Sequence, residues 1–244
     1  MSQIGIIGYG IVGKATGDGF KTGGHEIAFH DKFKKSESLE DVVRESEFIF
    51  ICVPTPTKPA YDGIDLSIVN EVVDEVAKVV KESQNGKKKI LVVKSTVIPG
   101  TTATLAAKYP EVSFAANPEF LRENKASWDF IHPDRTIIGA DDKNIAEELK
   151  KLHETILRED AKYFLTDLTT AEFAKYMSNV MLAAKSLIAN ELYALANALG
   201  ISYDQVREMV EEDPRIGSHI KVPGPDGSLG FGGKCFPKDM IGIL

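Results

Sequence analysis

Residues 4–13, IGIIGYGIVG, are a short apolar run that leads into the pattern G-x-G-x-x-G, formed by Gly8, Gly10 and Gly13. Each glycine has its own use where a strand turns into a helix. The first permits the tight turn, the second lets the backbone approach a pyrophosphate, and the third lets helix and strand pack closely. The helix that follows presents its N-terminus to the phosphate charge. This context favours a dinucleotide-binding site over a glycine-rich turn without a ligand.

Asp31 ends the next predicted strand, about 20 residues after the glycines, where an acidic side chain accepts hydrogen bonds from the ribose hydroxyls of NAD. A carboxylate there repels the 2′-phosphate of NADP, so NAD is the expected cofactor. Neighbouring Lys32, Lys34 and Lys35 weaken this discrimination. The residues predicted to contact the cofactor here are Gly8, Tyr9, Gly10, Ile11, Val12, Gly13, Asp31 and Lys32.

Short β-branched or aromatic runs alternate with helical patterns, which is typical of a parallel α/β sheet. Two later runs flank the amphipathic stretch Lys143–His153 and extend the sheet. The predicted strands are Ile4–Ile7, Glu26–His30, Phe48–Val53, Ile90–Val93, Val112–Ala115, Thr136–Gly139 and Tyr163–Leu165.

The pattern changes after Asp167. Residues Thr169–Glu172 have the Thr-x-x-Glu spacing of a capping box, and alanine, leucine and methionine then dominate. One helix is predicted over about 170–199, longer than a typical globular helix and suited to joining two bodies. A shorter helix, Tyr203–Glu212, follows, and Asp213–Leu244, rich in glycine and proline, is expected to be loop.

Composition and charge exclude several classes of protein. The chain has 244 residues, 43% of them hydrophobic, and a formal net charge of −7, so a globular protein is expected and a nucleic acid is not an expected partner. Two cysteines are too few for a secreted disulfide framework, and neither a signal peptide nor a membrane span is recognised. A cytoplasmic location is therefore expected. The five histidines lack metal-binding spacing, and no metal is predicted.

Polar residues and prolines follow several of the predicted strands. Examples are Pro54-Thr55-Pro56, Lys94-Ser95-Thr96 and Asn117-Pro118-Glu119. Because ligands of open α/β sheets bind outside the carboxyl ends of the strands, these segments predict one rim of a site. Taken singly, the Pro-Thr-Pro segment is equally typical of an ordinary turn.

Two further features carry candidate chemistry. Lys175 and Asn179 lie four residues apart on the long predicted helix and so share a face, although a bare Lys-x-x-x-Asn is more often a solvated face. The segment 230–239, GFGGKCFPKD, combines glycines with Cys235 between Lys234 and Lys238. Flanking lysines favour the nucleophilic thiolate, whereas the alternative is a surface thiol in a flexible loop. Cys52, within an apolar strand, is expected to be an inert core residue.

Taken together, these segments resemble the UDP-glucose/GDP-mannose dehydrogenase family, the nucleotide-sugar 6-dehydrogenases, in order over nearly the whole chain. The Lys-Asn pair alone also fits the wider group of β-hydroxyacid dehydrogenases, but the cysteine segment does not. The matching pieces are residues 8–13, 53–57, 94–102, 117–123, 175 with 179, 213–217 and 230–239.

The resemblance implies an α/β fold. A Rossmann-type doubly wound parallel sheet, residues 1–168, binds NAD, and residues 169–244 form the long helix and a truncated, mainly helical dimerisation and catalytic domain. It implies that two NAD successively oxidise the C6 alcohol of a nucleotide sugar to a carboxylate. Cys235 would hold the aldehyde as a thiohemiacetal, which a second hydride loss converts into a thioester that water hydrolyses. A homodimer through residues 170–199 is implied as well.

Residue roles follow from the same resemblance. The implied catalytic residues are Cys235, Lys175, Asn179, Asp239, Thr96, Glu119 and Glu123. Beyond the glycine-rich loop, the implied cofactor contacts are Val53, Pro54, Thr55, Ser95, Thr96, Glu123 and Lys238. The implied substrate contacts are Glu119, Phe120, Leu121, Arg122, Lys175, Asn179, Phe231 and Gly232. For Glu119 and Glu123, the alternative is helix-surface charge.

Full-length members of the family continue into a third domain that grips the nucleotide, whereas this sequence stops at Leu244. Remote binding energy drives catalysis, so the expected alternative to an active enzyme is a catalytically weak, NAD-binding dimeric fragment. The Phe-Leu-Arg sequence after Glu119 fits UDP-glucose or GDP-mannose as substrate better than acetamido sugars. UDP-glucose is the expected substrate because its dehydrogenases are the more common, and GDP-mannose is the alternative.

Overall fold

The structure, a computed structural model, describes residues 2–59, 62–83, 88–224, 227–232 and 236–243. The chain forms two compact units. One comprises residues 1–60 and 64–175, and the other comprises residues 61–63 and 176–244.

The first unit is built on a seven-stranded sheet in the order β2-β1-β3-β4-β5-β6-β7. Neighbouring strands are parallel except β5 and β6, which pair antiparallel at Ala116 and Gly139. Every predicted strand is present, although β3 ends two residues earlier than predicted. The strands are β1 (Gln3–Ile7), β2 (Glu26–His30), β3 (Phe48–Ile51), β4 (Ile90–Val93), β5 (Ser113–Ala116), β6 (Thr136–Gly139) and β7 (Tyr163–Thr166).

Helices cover both faces of this sheet. Phe48 and Phe50 face one apolar cluster, and the intervening Ile49 and Ile51 face the other. Strands buried on both faces read as continuous apolar runs, which is why they could be recognised in the sequence. Helices α1, α5 and α6 supply the first cluster, and α2, α3 and α4 the second. Their bounds are α1 (Ile11–Thr22), α2 (Leu39–Glu45), α3 (Ser67–Glu82), α4 (Thr101–Lys108), α5 (Ala126–Ile131) and α6 (Lys143–Glu154).

Strand order places the ligand cleft of the first unit. Because β1 lies between β2 and β3, successive connections leave it in opposite directions. Doubly wound sheets bind their ligands at such a switch point, outside the carboxyl ends of the strands. Here those ends are Gly8 after β1 and Cys52 after β3, so the Rossmann-type prediction is confirmed.

The long helix α7 (Leu168–Ala198) begins in the first unit and continues in the second. The second unit also contains α8 (Tyr203–Glu211) and α9 (Phe236–Ile243). The prediction of loop throughout 213–244 is therefore wrong at its end. Pro237 lies in the first turn of α9, where a missing N–H costs no helical hydrogen bond, so proline does not mark loop there. Among the described helices, none has the length and apolarity of a membrane span.

The capping-box prediction for the start of α7 is also wrong in its residues. Thr170 N donates to Asp167 Oδ1 at 2.8 Å, so Asp167 is the side chain that caps the helix. Glu172 instead accepts hydrogen bonds from backbone N–H groups at the start of α4. The helix starts two residues before the predicted position because the cap lies earlier in the sequence.

His153 on α6 gives the first unit a predicted sensitivity to acid. The ring lies 5.2 Å from that of Phe20, and burial lowers the pKa of His153 to about 3. A folded-state pKa below the ordinary 6.5 means that protonation favours the unfolded chain. The contribution of uncharged His153 to the free energy of unfolding is present above pH 6.5. It is lost as the pH drops towards 3, and the loss is about 2 kcal/mol between pH 6.5 and pH 5.

We expect His153→Gln to remove this part of the pH dependence. The measurement is the free energy of urea unfolding at pH 7 and pH 5 for both proteins. His132→Gln, at an exposed position, is the control and should keep the wild-type difference. An equal loss of stability on acidification in wild type and His153→Gln would contradict the assignment.

Candidate active site

The glycine-rich loop has the geometry that its sequence predicts. Gly8 has a φ of +89°, and an added Cβ would lie 2.8 Å from the backbone oxygen of Cys52. A Cβ on Gly13 would lie 2.1 Å from Gly8 O, so this pair of backbones tolerates no side chain. A Cβ on Gly10 would meet no atom of the described residues within 4 Å. The open space at Gly10, before the N-terminus of α1, fits a bound pyrophosphate.

Asp31 is tied to the same loop. Its Oδ2 accepts a hydrogen bond from Tyr9 N at 2.8 Å, and its Oδ1 accepts one from Phe33 N at 2.9 Å. Lys34 donates to Tyr9 O and lies 5.7 Å from the centre of the Tyr9 ring. Lys32 is exposed beside them. The structure thus brings Asp31 to the loop, and it places Lys34 rather than Lys32 against the loop backbone.

The ends of β3 and β4 are joined by side chains from the predicted rim. Thr55 Oγ1 donates to Thr96 O at 2.8 Å, and Ser95 Oγ donates to Val53 O at 2.7 Å. Pro54 is exposed between them. These predicted cofactor contacts therefore share one edge of the sheet. Burial raises the pKa of the nearby Cys52 thiol to about 12, as expected for an inert cysteine.

A buried ion pair lies at the end of β5. Lys175 Nζ is 3.0 Å from Glu119 Oε1, and the two side chains are only 5% and 10% exposed. Leu121 N donates to Glu119 Oε2 at 2.6 Å, and the Lys175 ammonium lies 5.4 Å from the Phe120 ring centre. Burial alone would raise the pKa of Glu119, but Lys175 and the Leu121 N–H outweigh it and hold the pKa below its ordinary value. Glu119 is therefore a fixed, ionised carboxylate at neutral pH.

Glu119 and Glu123 do not share a helix surface, because residues 117–122 are not helical. Glu123 begins a 3-10 helix, Glu123–Lys125, and lines a surface cavity with Ile11 and Trp128. Ile11 is the first residue of α1, so Glu123 lies on the cofactor side of the sheet edge. Arg122 is held by Asp129, with contacts of 2.9 and 2.6 Å, and its side chain is exposed.

Glu172 also belongs to this region, although the sequence predicted it only as part of a capping box at the start of the long helix. Its carboxylate accepts hydrogen bonds from Gly100 N at 2.6 Å and Thr102 N at 2.9 Å. It therefore caps α4, whose first residue is Thr101, and ties α7 to the sheet edge one turn before Lys175. The two partners are 72 and 70 residues away in the chain, and nothing local in the sequence signals these contacts.

In the second unit, Asn179 and Asp239 form a buried pair. Asn179 Nδ2 donates to Asp239 Oδ2, and the residues are 6% and 1% exposed. Lys238 forms an ion pair with the other carboxylate oxygen of Asp239. Two charge-assisted contacts thus fix the Asp239 side chain.

The remaining predicted residues of the second unit surround the cysteine in sequence. Phe231 is half-buried, with its ring centre 6.5 Å from that of Phe236, and Gly232 is exposed. Cys235 and the adjacent Lys234 lie outside the described residues. Among the side chains that are described, no group of three histidines, cysteines or carboxylates is arranged to hold a metal ion.

Comparison with known proteins identifies both parts of the chain. Residues 28–157 match the NAD binding domain of the UDP-glucose/GDP-mannose dehydrogenase family, which confirms the predicted cofactor, and residues 169–244 match the central domain of that family. A UDP-glucose 6-dehydrogenase from Rickettsia prowazekii is 37% identical over 217 residues, covering 87% of this chain and 48% of the relative. The chain thus spans about half the length of the curated relatives it matches.

Solved structures agree with this relationship. A UDP-glucose dehydrogenase from the hyperthermophilic archaeon Pyrobaculum islandicum superposes with a TM-score of 0.87 at 33% identity, covering 100% of this chain and 63% of that one. A GDP-mannose dehydrogenase from Pseudomonas aeruginosa gives a TM-score of 0.77 at 27% identity, with 97% and 62% covered. With more than half of its residues in the first family match alone, the chain belongs to the UDP-glucose/GDP-mannose dehydrogenase family.

Proposed function

We propose that this protein is an NAD-dependent nucleotide-sugar 6-dehydrogenase that oxidises the C6 alcohol of UDP-glucose to the carboxylate of UDP-glucuronate. Residues 1–168 would bind NAD, and residues 169–244 would supply the nucleophile and the dimer contact. The observation that carries the proposal is the buried pair of Glu119 and Lys175 at the carboxyl edge of the sheet. A fixed carboxylate beside an ammonium is suited to moving a proton while a negative oxygen forms.

The described residues fit NAD. The space at Gly10, the N-terminus of α1 and Asp31 match the pyrophosphate and ribose ends of a dinucleotide. When bound, NAD accepts the hydride that leaves C6. The chain's own part is to place C6 and its oxygen, to supply protons and to exclude water. Thr55 and Ser95 fix the strand ends on which the nicotinamide half would rest.

Lys175 and Asn179 would stabilise the oxyanion that forms on C6 in each oxidation. The carboxylate of Glu119 would take the proton of the alcohol and later that of water. Asp239, held by Asn179 and Lys238, would keep the amide of Asn179 turned in one direction. Thr96 and Glu123 would order water and substrate at the same edge.

Cys235 would provide the covalent step. Its thiolate would add to the C6 aldehyde, whose oxygen takes up a proton to give a thiohemiacetal. The thiohemiacetal would become a thioester by losing its C6 hydride to a second NAD and its hydroxyl proton to solvent. Water then attacks the thioester carbon, the C–S bond breaks, and the carboxylate and the free thiol are released. Lys234 and Lys238 flank the cysteine in the sequence and favour the thiolate. Phe120, Leu121, Arg122, Phe231 and Gly232 would lie along the sugar nucleotide.

The proposed enzyme is a homodimer through α7, and its cytoplasmic location remains a sequence-based prediction. Exposed apolar side chains recur at helical spacing in the second unit, among them Met181, Ile188, Leu192 and Leu199, which are 53–64% exposed. Such a stripe is typical of an interface between helices. We expect Ile188→Glu to produce monomers in light scattering after size-exclusion chromatography. Lys151→Glu on α6 is the charge control and should stay dimeric, whereas a dimeric Ile188→Glu variant would contradict the interface.

The test of function is NADH absorbance after UDP-glucose is added to the protein and NAD. We expect NADH formation that Cys235→Ala abolishes, while NADH binding, followed by fluorescence, stays the same because Cys235 is not one of the predicted NAD contacts. The Cys52→Ala variant is the matched control and should remain active. Formation of NADH with GDP-mannose alone would assign the other substrate of the family. Binding of NADH without turnover of either sugar would favour the alternative of a dimeric NAD-binding protein.

A further inference from the structure

Lys94 is a buried lysine that the proposed reaction does not use. It follows β4, is only 3% exposed, and donates from Nζ to Asn117 Oδ1 at 2.9 Å and Asn117 O at 3.2 Å. Its ammonium also lies 5.4 Å from the ring centre of Phe130. Both hydrogen-bond acceptors are uncharged. Burying a positive charge against neutral groups is costly, so the position of this side chain requires an explanation.

Asn117 follows β5, the strand that pairs parallel with β4 and antiparallel with β6. Its N–H continues the β4–β5 ladder by donating to Val93 O at 2.9 Å. Its Nδ2 donates to Ile137 O on β6 at 2.8 Å. Since β5 and β6 share only the pair Ala116 and Gly139, this amide adds a side-chain hydrogen bond to a short strand pairing.

Lys94 determines how that amide is oriented. An asparagine side chain can turn over and exchange its oxygen and nitrogen. An ammonium can only donate and a carbonyl oxygen can only accept, so Lys94 on one side and Ile137 O on the other permit one orientation. The next residues are Pro118 and Glu119. Lys94 therefore fixes the origin of the segment that brings Glu119 to Lys175.

We propose that Lys94 is a positioning residue for the reaction: through Asn117 it fixes the segment that carries Glu119, and its ammonium is a second positive charge acting on the Glu119–Lys175 pair. This inference rests on the proposed function for its catalytic meaning, while its structural part is independent of turnover. The mechanism above assigns the charge at this site to Lys175 alone.

Charged and titratable groups face Lys94 from several elements. Burial lowers the pKa of Lys94 to about 8, with the charge of Lys175 acting in the same direction and that of Glu119 against it. The Cys52 thiol, with its pKa raised to about 12, is an uncharged neighbour at this pH. The charge of Lys94 also lowers the pKa of His153 on α6. A folded pKa near 8 means that Lys94 is charged below pH 8 and loses its proton above it. The electrostatic effect of the Lys94 ammonium on the Glu119 carboxylate should therefore weaken as the pH rises through 8.

Three substitutions separate orientation from charge. Lys94→Met removes both, Lys94→Gln keeps a donor for Asn117 without the charge, and Lys94→Arg keeps the charge at all accessible pH values. Lys89→Met is the matched control. Lys89 is also buried, at 5% exposure, and also donates to two carbonyl oxygens, Arg44 O and Ser46 O, both at 2.8 Å.

The first measurement does not depend on turnover. The carboxyl ¹³C resonance of Glu119, assigned by its loss in Glu119→Gln, is followed as a function of pH in labelled protein. We expect its titration midpoint to rise in Lys94→Met and in Lys94→Gln, and to stay at the wild-type value in Lys94→Arg and Lys89→Met. An unchanged midpoint in Lys94→Met, or an equal rise in Lys89→Met, would overturn the proposal whether or not the protein oxidises a sugar.

The second measurement is the pH profile of NADH formation. We expect Lys94→Met to lower kcat by about tenfold or more with little change in KM, because displacement of a reacting group costs rate rather than binding. The wild-type rate should fall above pH 8, and Lys94→Arg should lack that fall. Profiles of the same shape in wild type and Lys94→Arg would contradict the role of the ammonium. A wild type that forms no NADH rejects the proposed function, and the carbon titration then decides the inference about Lys94.

Discussion

Replacing Lys175 by methionine is expected to destabilise the protein by about 3–5 kcal/mol and to abolish any turnover. The substitution leaves the Glu119 carboxylate buried without its cation, and removal of one partner of a buried pair carries a penalty of this size. Glu119→Gln should also be destabilising, because it leaves the Lys175 ammonium buried without its carboxylate. The measurement is the free energy of urea unfolding at pH 7.

The double variant Glu119→Gln with Lys175→Met distinguishes this explanation from a loss of packing. Since neither member of the pair is then buried without its partner, we expect it to be more stable than Lys175→Met. An exposed ion pair, Lys108 with Asp74, provides the control, because its side chains are 54% and 47% exposed. Lys108→Met should have no measurable effect on unfolding. A double variant no more stable than Lys175→Met would show that the pair is not the source of the loss.

Alanine substitutions at two glycines of the same loop should affect different properties, stability at Gly13 and NADH affinity at Gly10. Gly13→Ala places a Cβ 2.1 Å from Gly8 O, and because the obstacle is backbone, the helix or the turn must move. We expect a loss of about 3 kcal/mol, the upper end of the usual cost of overpacking, together with loss of NADH binding. In Gly10→Ala, the added methyl meets no atom within 4 Å in the part of the chain that the structure describes. We expect its unfolding to match that of the wild type, with NADH affinity at least about tenfold lower, since the added methyl occupies the space left for the pyrophosphate.

Thermal unfolding and NADH fluorescence, measured on both variants, check this contrast. The outcome that would refute it is a Gly10→Ala protein that binds NADH as tightly as wild type. A Gly13→Ala protein of unchanged stability would be equally incompatible with the close contact at Gly8.

The sheet was predictable from the sequence because its signals are local. Phe48–Ile51 and Ile90–Val93 are unbroken apolar runs because both of their faces are buried, and the three glycines mark the first turn by their spacing alone. The length of α7 was predicted to within two residues at each end, since its apolar composition is continuous. Strand order was not predictable, because it depends on which strands pair across long stretches of chain.

The candidate site was predicted as a set of residues and not as a set of contacts. The resemblance gave Glu119 and Lys175 separate roles, whereas the structure joins them in one ion pair. Glu172 was interpreted as part of a local capping box, yet it caps α4, about 70 residues earlier in the chain. The sequence distinguishes Lys94 only as one residue of a strand end. In each case the partner lies far away in sequence, and short-range patterns carry no information about it.

The proposed covalent mechanism fixes the number of NADH molecules formed for each UDP-glucose consumed, which can be counted with the sugar limiting and NAD in excess. We expect two, because the C6 aldehyde remains attached to Cys235 until the second oxidation is complete. A ratio of one, with the free aldehyde released and no dependence on Cys235, would contradict it.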